Sequence, residues 1–221
     1  MDIEANIREV QKRIAHACER SHRLPSEITL VAVTKGFDAS TVRVAFDYGI
    51  RDFGENRVQE AEEKIGQLSD LKPDITWHMV GHLQSNKAKI AVELFDIIHS
   101  VDSIKLAEIL SRRTEKTLTV LLQVNVSGEA PKSGFAVDEV TKAVEEIRRL
   151  PNLNVIGLMA IAPLVAAPEE ARPVFRKLRM LRDSLGLEHL SMGMTDDFEV
   201  AIEDGATILR IGRAIFGDRR W

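Results

Sequence analysis

The sequence has one cysteine, Cys18, in 221 residues. No intramolecular disulfide or cysteine-built metal site can form, and a reducing compartment is the simpler expectation. A charge excess of one sign is also missing. With 30 lysines and arginines against 34 aspartates and glutamates, the formal net charge is −4, so there is no sequence-wide basic field to draw in nucleic acid or an anionic membrane. Long apolar runs are absent too. No segment reaches the ~20 residues of a membrane span, and the opening MDIEANIREVQKRIAHACER is charged throughout, unlike a secretion signal. No linker, low-complexity tract or charge run divides the chain. These absences predict a cytoplasmic protein of one domain, residues 1–221, with neither nucleic acid nor membrane as partner.

Hydrophobic residues make up 44% of the chain, enough for a full core. Ile3, Ile7, Val10, Ile14 and Ala17 recur at helical spacing among charged residues, which predicts an amphipathic first helix covering one end of the core. From Ile28 onward, short apolar runs alternate with longer amphipathic stretches, the signature of repeated βα units around a parallel sheet. Eight strands are expected, at Thr29–Val33, Asp52–Phe53, Thr76–Val80, Ile97–His99, Thr119–Val126, Val155–Ile161, His189–Met192 and Ile208–Ile211. Asp38, Ser85, Asp102 and Asp196 stand where helices between them should begin and are expected caps. Eight strands can close as a (β/α)8 TIM barrel. An open doubly wound sheet usually has fewer strands and a glycine-rich dinucleotide turn after the first; here that turn is Thr34-Lys35-Gly36-Phe37.

In such a barrel the C-terminal strand ends converge on one mouth, where active sites are built. The rule selects Lys35, Glu55, Asn56, His78, Gly81, His82, His99, Asp102, Asn125, Met159, Ser191 to Thr195, and Arg210 to Arg213. Lys35 follows the apolar run VAVT. Burial there disfavours the charged amine and favours a nucleophile able to form a Schiff base, although a solvated lysine just past a strand fits the same pattern. Loops after strands seven and eight often bind phosphate through backbone N–H groups. Gly193, Gly212 and Arg213, with the Ser191 hydroxyl, fit that role; tight turns alone also explain the glycines. Together, lysine and phosphate pocket point to a phosphorylated aldehyde cofactor. Arg210 lies inside an apolar strand, where a charge needs a partner. It is either a structural ion pair or a donor to a cofactor ring nitrogen. His78 and His82 stand four apart around a strand end without evident carboxylate ligands, so a packing role is expected rather than a metal.

VAVTK, RDFGENRVQEAEEK, WHMVGHLQSNK, IHSVDS, QVNVSGE with KSGF, GLMAI, LSMGMTDDFEVAIEDGAT and RIGRAIFG run in order from Leu30 to Arg219. With these motifs the chain resembles the YggS/PROSC-type pyridoxal 5′-phosphate (PLP) homeostasis proteins. The resemblance implies a barrel like the N-terminal domain of alanine racemase, with PLP held as a Schiff base on Lys35. It also implies Ser191, Gly212 and Arg213 at the phosphate, Arg210 at the pyridine nitrogen and Asn56 beside the cofactor. Some relatives have a small hydroxyl residue where this chain has Arg213, whose backbone N–H is available in either case. Lys132 of KSGF matches a family lysine near the site. The implied function is PLP homeostasis and supply without catalytic turnover, with PLP-requiring apo-enzymes as prospective recipients.

A racemase of the alanine type needs a second base, a tyrosine from another domain of a partner subunit. The single tyrosine, Tyr48, falls at the far end of the first barrel helix, and the sequence ends soon after strand eight. A carrier is therefore expected over an enzyme, and a monomer over an oligomer. Two alternatives stay open: a racemase-like PLP enzyme using His78, His82 or water held by Asn56 as second base, and a cofactor-free Schiff-base aldolase using Lys35.

Overall fold

The structure, a computed structural model, describes residues 2–128, 133–163 and 165–218. In chain order the elements are α1 (Ile3–Arg20), β1 (Thr29–Val33), α2 (Ala39–Asp47), β2 (Asp52–Glu55), α3 (Val58–Gln67), β3 (Thr76–Met79), α4 (Ala88–Leu94), β4 (Ile97–Val101) and α5 (Ile104–Arg113). They continue with β5 (Leu118–Gln123), α6 (Val140–Ile147), β6 (Leu153–Met159), α7 (Arg172–Ser184), β7 (His189–Ser191), α8 (Phe198–Glu203), β8 (Ile208–Ile211) and α9 (Arg213–Phe216). The eight strands are parallel and close as a barrel in sequence order, with β1 paired to both β2 and β8. This is the expected TIM barrel.

Strand alternation divides the core in two. Ala32, Phe53, Trp77, Ile98, Val120, Leu122, Leu158, Leu190, Leu209 and Ile211 point outward into the layer shared with the helices. Val31, Leu121, Met159 and Ile208, one position out of phase, form a separate apolar cluster inside the barrel. β5 stops at Gln123, earlier than expected; beyond it Val124 still bonds the Met159 carbonyl of β6, and Gln123 and Asn125 bond Phe135 in an isolated bridge.

α1 borders the N-terminal face as its amphipathic pattern suggested, where Gln11 and Ile14 line a cleft with the starts of β1 and β2. It packs against α2, α8 and α9, filling the place in the helical ring that the four-residue α9 is too short to occupy. Arg13 bonds Glu199 at 3.0 Å, Arg20 bonds Glu203 at 2.8 Å, and Asn6 donates to the Ile215 carbonyl at 2.9 Å.

The expected caps hold in part. The Asp38 carboxylate accepts from the Thr41 N–H at 2.9 Å and starts α2. Ser103, rather than Asp102, caps α5, accepting from the Leu106 N–H. Ser85 lies within a 3-10 turn that precedes α4. Asp196 ion-pairs with Arg213, and its neighbour Asp197 borders α8.

Behind the turn that carries Lys35, a buried ion pair ties three elements together. Thr34 and Glu55 are in the outward phase, and Lys64 reaches them from α3. Its Nζ donates to the Thr34 carbonyl at 2.7 Å and to Glu55 Oε1 at 2.5 Å, while the Thr34 hydroxyl donates to the same oxygen at 2.6 Å. Glu60 accepts from both Lys64 and the Gly36 N–H. Both neighbours of Lys35 are thereby held. Glu55 is fully buried and Lys64 nearly so. Burial pushes the Glu55 carboxyl up, and Lys64 and Thr34 oppose that shift. Its Oε2 has no hydrogen-bond partner among the described residues, so the Lys64 charge is its main compensation.

Removing one member of a buried pair strands the other, at a cost of about 3–5 kcal/mol. Lys64→Met is expected to lose about that much in urea unfolding, and Lys64→Met with Glu55→Leu to regain most of it. A single variant within 1 kcal/mol of wild type, by the same scale, would contradict this account. Asp38→Ala is expected to lose about 1 kcal/mol at pH 7. The Ser40 hydroxyl, then the Thr41 N–H and hydroxyl, hold the Asp38 carboxyl below its usual value. Its contribution is thus present above the unfolded-state value of about 3.9 and is lost as pH falls through the folded one. Unfolding curves at pH 7 and in acid should show the difference between wild type and variant closing.

Candidate functional site

At the C-terminal mouth the strand ends enclose a cleft of about 410 Å³ lined by Lys35, Asn56, Thr195, Arg210, Gly212 and Arg213, with Val33, Phe37, Val80 and Ile161 among its walls. Five of the six residues singled out from the sequence therefore meet in one place. Lys35 continues the inward phase of Val31 and Val33 past the end of β1, which brings its amine to the mouth. Asn56, directly after β2, is held close to the next loop. A Cβ at Gly81 would collide with the Asn56 carbonyl oxygen, so the close approach requires glycine.

Arg210 forms the floor. It is 5% exposed. One of its terminal nitrogens donates to the Ser191 hydroxyl at 2.6 Å and the other to the Ala160 carbonyl at 2.9 Å. Burial lowers its pKa to about 10, against the pull of Asp197, which leaves a cation at neutral pH. Asp197 is itself pushed up by burial and is held by the Met194 N–H.

Ser191 is the sixth residue, and it does not line the cleft. It is fully buried beneath Arg210, with its hydroxyl between that guanidinium and His99 Nδ1 at 2.8 Å. The hydroxyl at the rim belongs to Thr195, which accepts from the Ala214 N–H at 3.2 Å. Thr195 lay within the stretch marked by the strand-end rule but was not distinguished from Ser191. The separating signal is strand phase: Ser191 still belongs to β7, whereas Thr195 follows the turn at Gly193, whose φ is +92°. A side chain on Gly193 would press into Ala201 and Phe198, so the turn is tightly packed on α8.

The Arg213 guanidinium points across the rim to Asp196. Its N–H and that of Gly212 open α9, where no preceding turn offers them a carbonyl. His82 pairs with Asp102 at 3.1 Å, and His78 is buried with both ring nitrogens bonded, so neither lines the cleft. Tyr48 follows α2, is exposed, and does not line the cleft. Lys132 lies outside the described residues. Among the described residues no cluster of metal-binding side chains occurs, and no helix is long and apolar enough to cross a membrane.

The alanine racemase N-terminal domain family matches residues 2–220. The pyridoxal phosphate homeostasis protein of Aquifex aeolicus is 43% identical, covering 96% of this chain and 96% of its own. That of Pseudomonas aeruginosa is 46% identical, covering 98% and 96%. PipY of Synechococcus elongatus, solved with PLP bound, superposes with a TM-score of 0.80 at 39% identity, covering 92% of this chain and all of that one. Alanine racemase of Clostridium difficile shares the fold, with a TM-score of 0.70 at 14% identity over 57% of its length. The chain belongs to the alanine racemase N-terminal domain family, and within it to the pyridoxal phosphate homeostasis proteins.

Proposed function

We propose that this protein binds PLP reversibly through Lys35 and serves the intracellular supply of that cofactor, without turnover of amino acids. The observation that carries the reading is the convergence of a primary amine, a buried guanidinium, a hydroxyl and two backbone amides in one cleft. PLP supplies an aldehyde to the amine and a phosphate monoester to the rim. The donor set fits both ends. Lys35 is the nucleophile. The Thr195 hydroxyl and the N–H groups of Gly212 and Arg213 hold the phosphate, with Arg213 shared between it and Asp196. Asn56 lies at the side. Arg210 presents a permanent cation to the ring nitrogen, keeping that nitrogen unprotonated and weakening the ring as an electron sink. Ser191, assigned to the phosphate by sequence resemblance, acts instead from below through Arg210.

Three placements support holding over racemisation. Tyr48 follows α2 and is absent from the cleft lining, both His78 nitrogens are engaged, and His82 is turned to Asp102. The family relatives are named for homeostasis, and PipY holds PLP, which agrees with the same reading. The protein is proposed to act as one domain and as a cytoplasmic monomer, with PLP-requiring apo-enzymes as recipients.

Lys35→Ala is expected to remove the near-visible absorbance of the PLP-loaded protein while leaving thermal unfolding within a few degrees of wild type, since a residue past the strand end is not core. An unchanged absorbance spectrum would refute the assignment. For supply, loaded protein is mixed with a PLP-requiring apo-enzyme and a trap for free PLP. Activation beyond that given by free PLP with trap is the expected result, and equal activation would leave storage rather than delivery. A panel of amino acids is expected to show no racemisation or decarboxylation above background; enzyme-like rates would overturn the non-enzymatic reading.

A further inference from the structure

The inward phase of the barrel contains a line of polar side chains, one from each of five strands. Asp52 Oδ1 bonds His78 Nε2 at 3.0 Å, His78 Nδ1 bonds His99 Nε2 at 2.9 Å, and His99 Nδ1 bonds Ser191 Oγ at 2.8 Å. Arg210 closes the line, donating to Ser191 Oγ at 2.6 Å. His78, His99 and Ser191 are 1%, 0% and 0% exposed, so water cannot substitute for a missing bond. Asp52, whose side chain is 29% exposed, begins β2 and opens into a second cleft at the N-terminal face, alongside Ile28, Thr29 and Leu30.

The two ends allow only one direction of donation. Arginine has no acceptor, so Ser191 accepts from Arg210. The serine proton then has one buried acceptor on the line, His99 Nδ1. Burial, with His78 and Arg210 nearby, holds His99 well below its usual pKa and hence neutral. Its proton therefore sits on Nε2 and is donated to His78 Nδ1. The His78 proton sits on its own Nε2 and faces the Asp52 carboxylate. Each imidazole nitrogen and the serine proton is used once, and the line runs from a cation under the cleft to an anion on the opposite face.

We propose that Asp52, His78, His99 and Ser191 are positioning residues for Arg210, forming a one-way hydrogen-bond chain that fixes its guanidinium beneath the cleft and couples it to the carboxylate at the far end of the barrel. Its effect on bound PLP rests on the reading of Arg210 given above; the chain itself does not. The Ala160 carbonyl holds the guanidinium from another side, and Asp197 is the other carboxylate acting on it. Neither reproduces a path to the N-terminal face.

Two measurements test the proposal. In ligand-free protein, ¹⁵N NMR at pH 7 is expected to find His78 and His99 as Nε2–H tautomers, and Asp52→Asn to displace the His99 and Arg210 side-chain signals. His99 protonated on Nδ1, or unmoved His99 and Arg210 signals, would overturn the chain. In PLP-loaded protein, Asp52→Asn removes an anion from the end of the line. It is expected to lower the pH midpoint of the near-visible absorbance titration by about half a unit, the size expected for one charge at this range in protein. Asp47→Asn, at the exposed end of α2 and outside the line, should not shift it. Ser191→Ala is the second variant and should shift the midpoint while leaving affinity for inorganic phosphate unchanged. If Arg210→Leu moves the titration but Asp52→Asn and Ser191→Ala do not, the proposal fails. If none of the three moves it while the NMR result holds, the placing of Arg210 at the ring nitrogen fails and the positioning chain stands.

Discussion

A strand in a closed parallel barrel has no solvent face, so every polar side chain on it must find a partner either among the helices or inside the barrel. In this protein that constraint has two solutions, one in each phase. Outward, Thr34 and Glu55 are met by Lys64 from α3. Inward, His78, His99, Ser191 and Arg210 satisfy one another and end at Asp52. The first arrangement holds the turn that bears Lys35, and the second holds the cation beneath it. The turn of Lys35 and the charged floor of the cleft are thus anchored by separate buried networks on opposite sides of the same sheet.

The division matters because the two groups face different requirements. The backbone on both sides of Lys35 is held, by Lys64 at Thr34 and by Glu60 at Gly36. A buried guanidinium must keep its orientation to keep its hydrogen bonds. Arg210 is buried enough to have its pKa lowered, so its hydrogen bonds to Ser191 and Ala160 replace the hydration it has lost. Around these fixed points the rim is lighter in construction, with Thr195, Gly212 and an Arg213 paired with Asp196.

Strand phase also explains where sequence reading succeeded and where it stopped. Lys35, Asn56, Arg210, Gly212 and Arg213 could be placed at the mouth because each lies at or just past the C-terminal end of a recognisable strand, and all line the cleft. Ser191 shares the motif LSMGMT with Thr195, but only the exact end of β7 decides that one lies under Arg210 and the other at the rim. The capping role expected of Asp102 belongs to its neighbour Ser103, because a one-residue shift changes which side chain faces the first free amides. α1 has the amphipathic pattern of a covering helix, but its main partners, α8 and α9, come from the other end of the chain.

By itself the sequence determined the alternation of apolar strands and amphipathic helices, hence the eight-unit barrel, and it placed a lysine and a glycine-arginine pair at strand ends. These are local properties, set by side-chain periodicity and by the few residues that tolerate tight turns. Only the tertiary structure decided that Asp52, His78, His99, Ser191 and Arg210, spread over 159 positions of the chain, stand in hydrogen-bonding order. Their order depends on the stagger of neighbouring strands as the barrel closes, and closure is a property of the whole sheet that no single segment records.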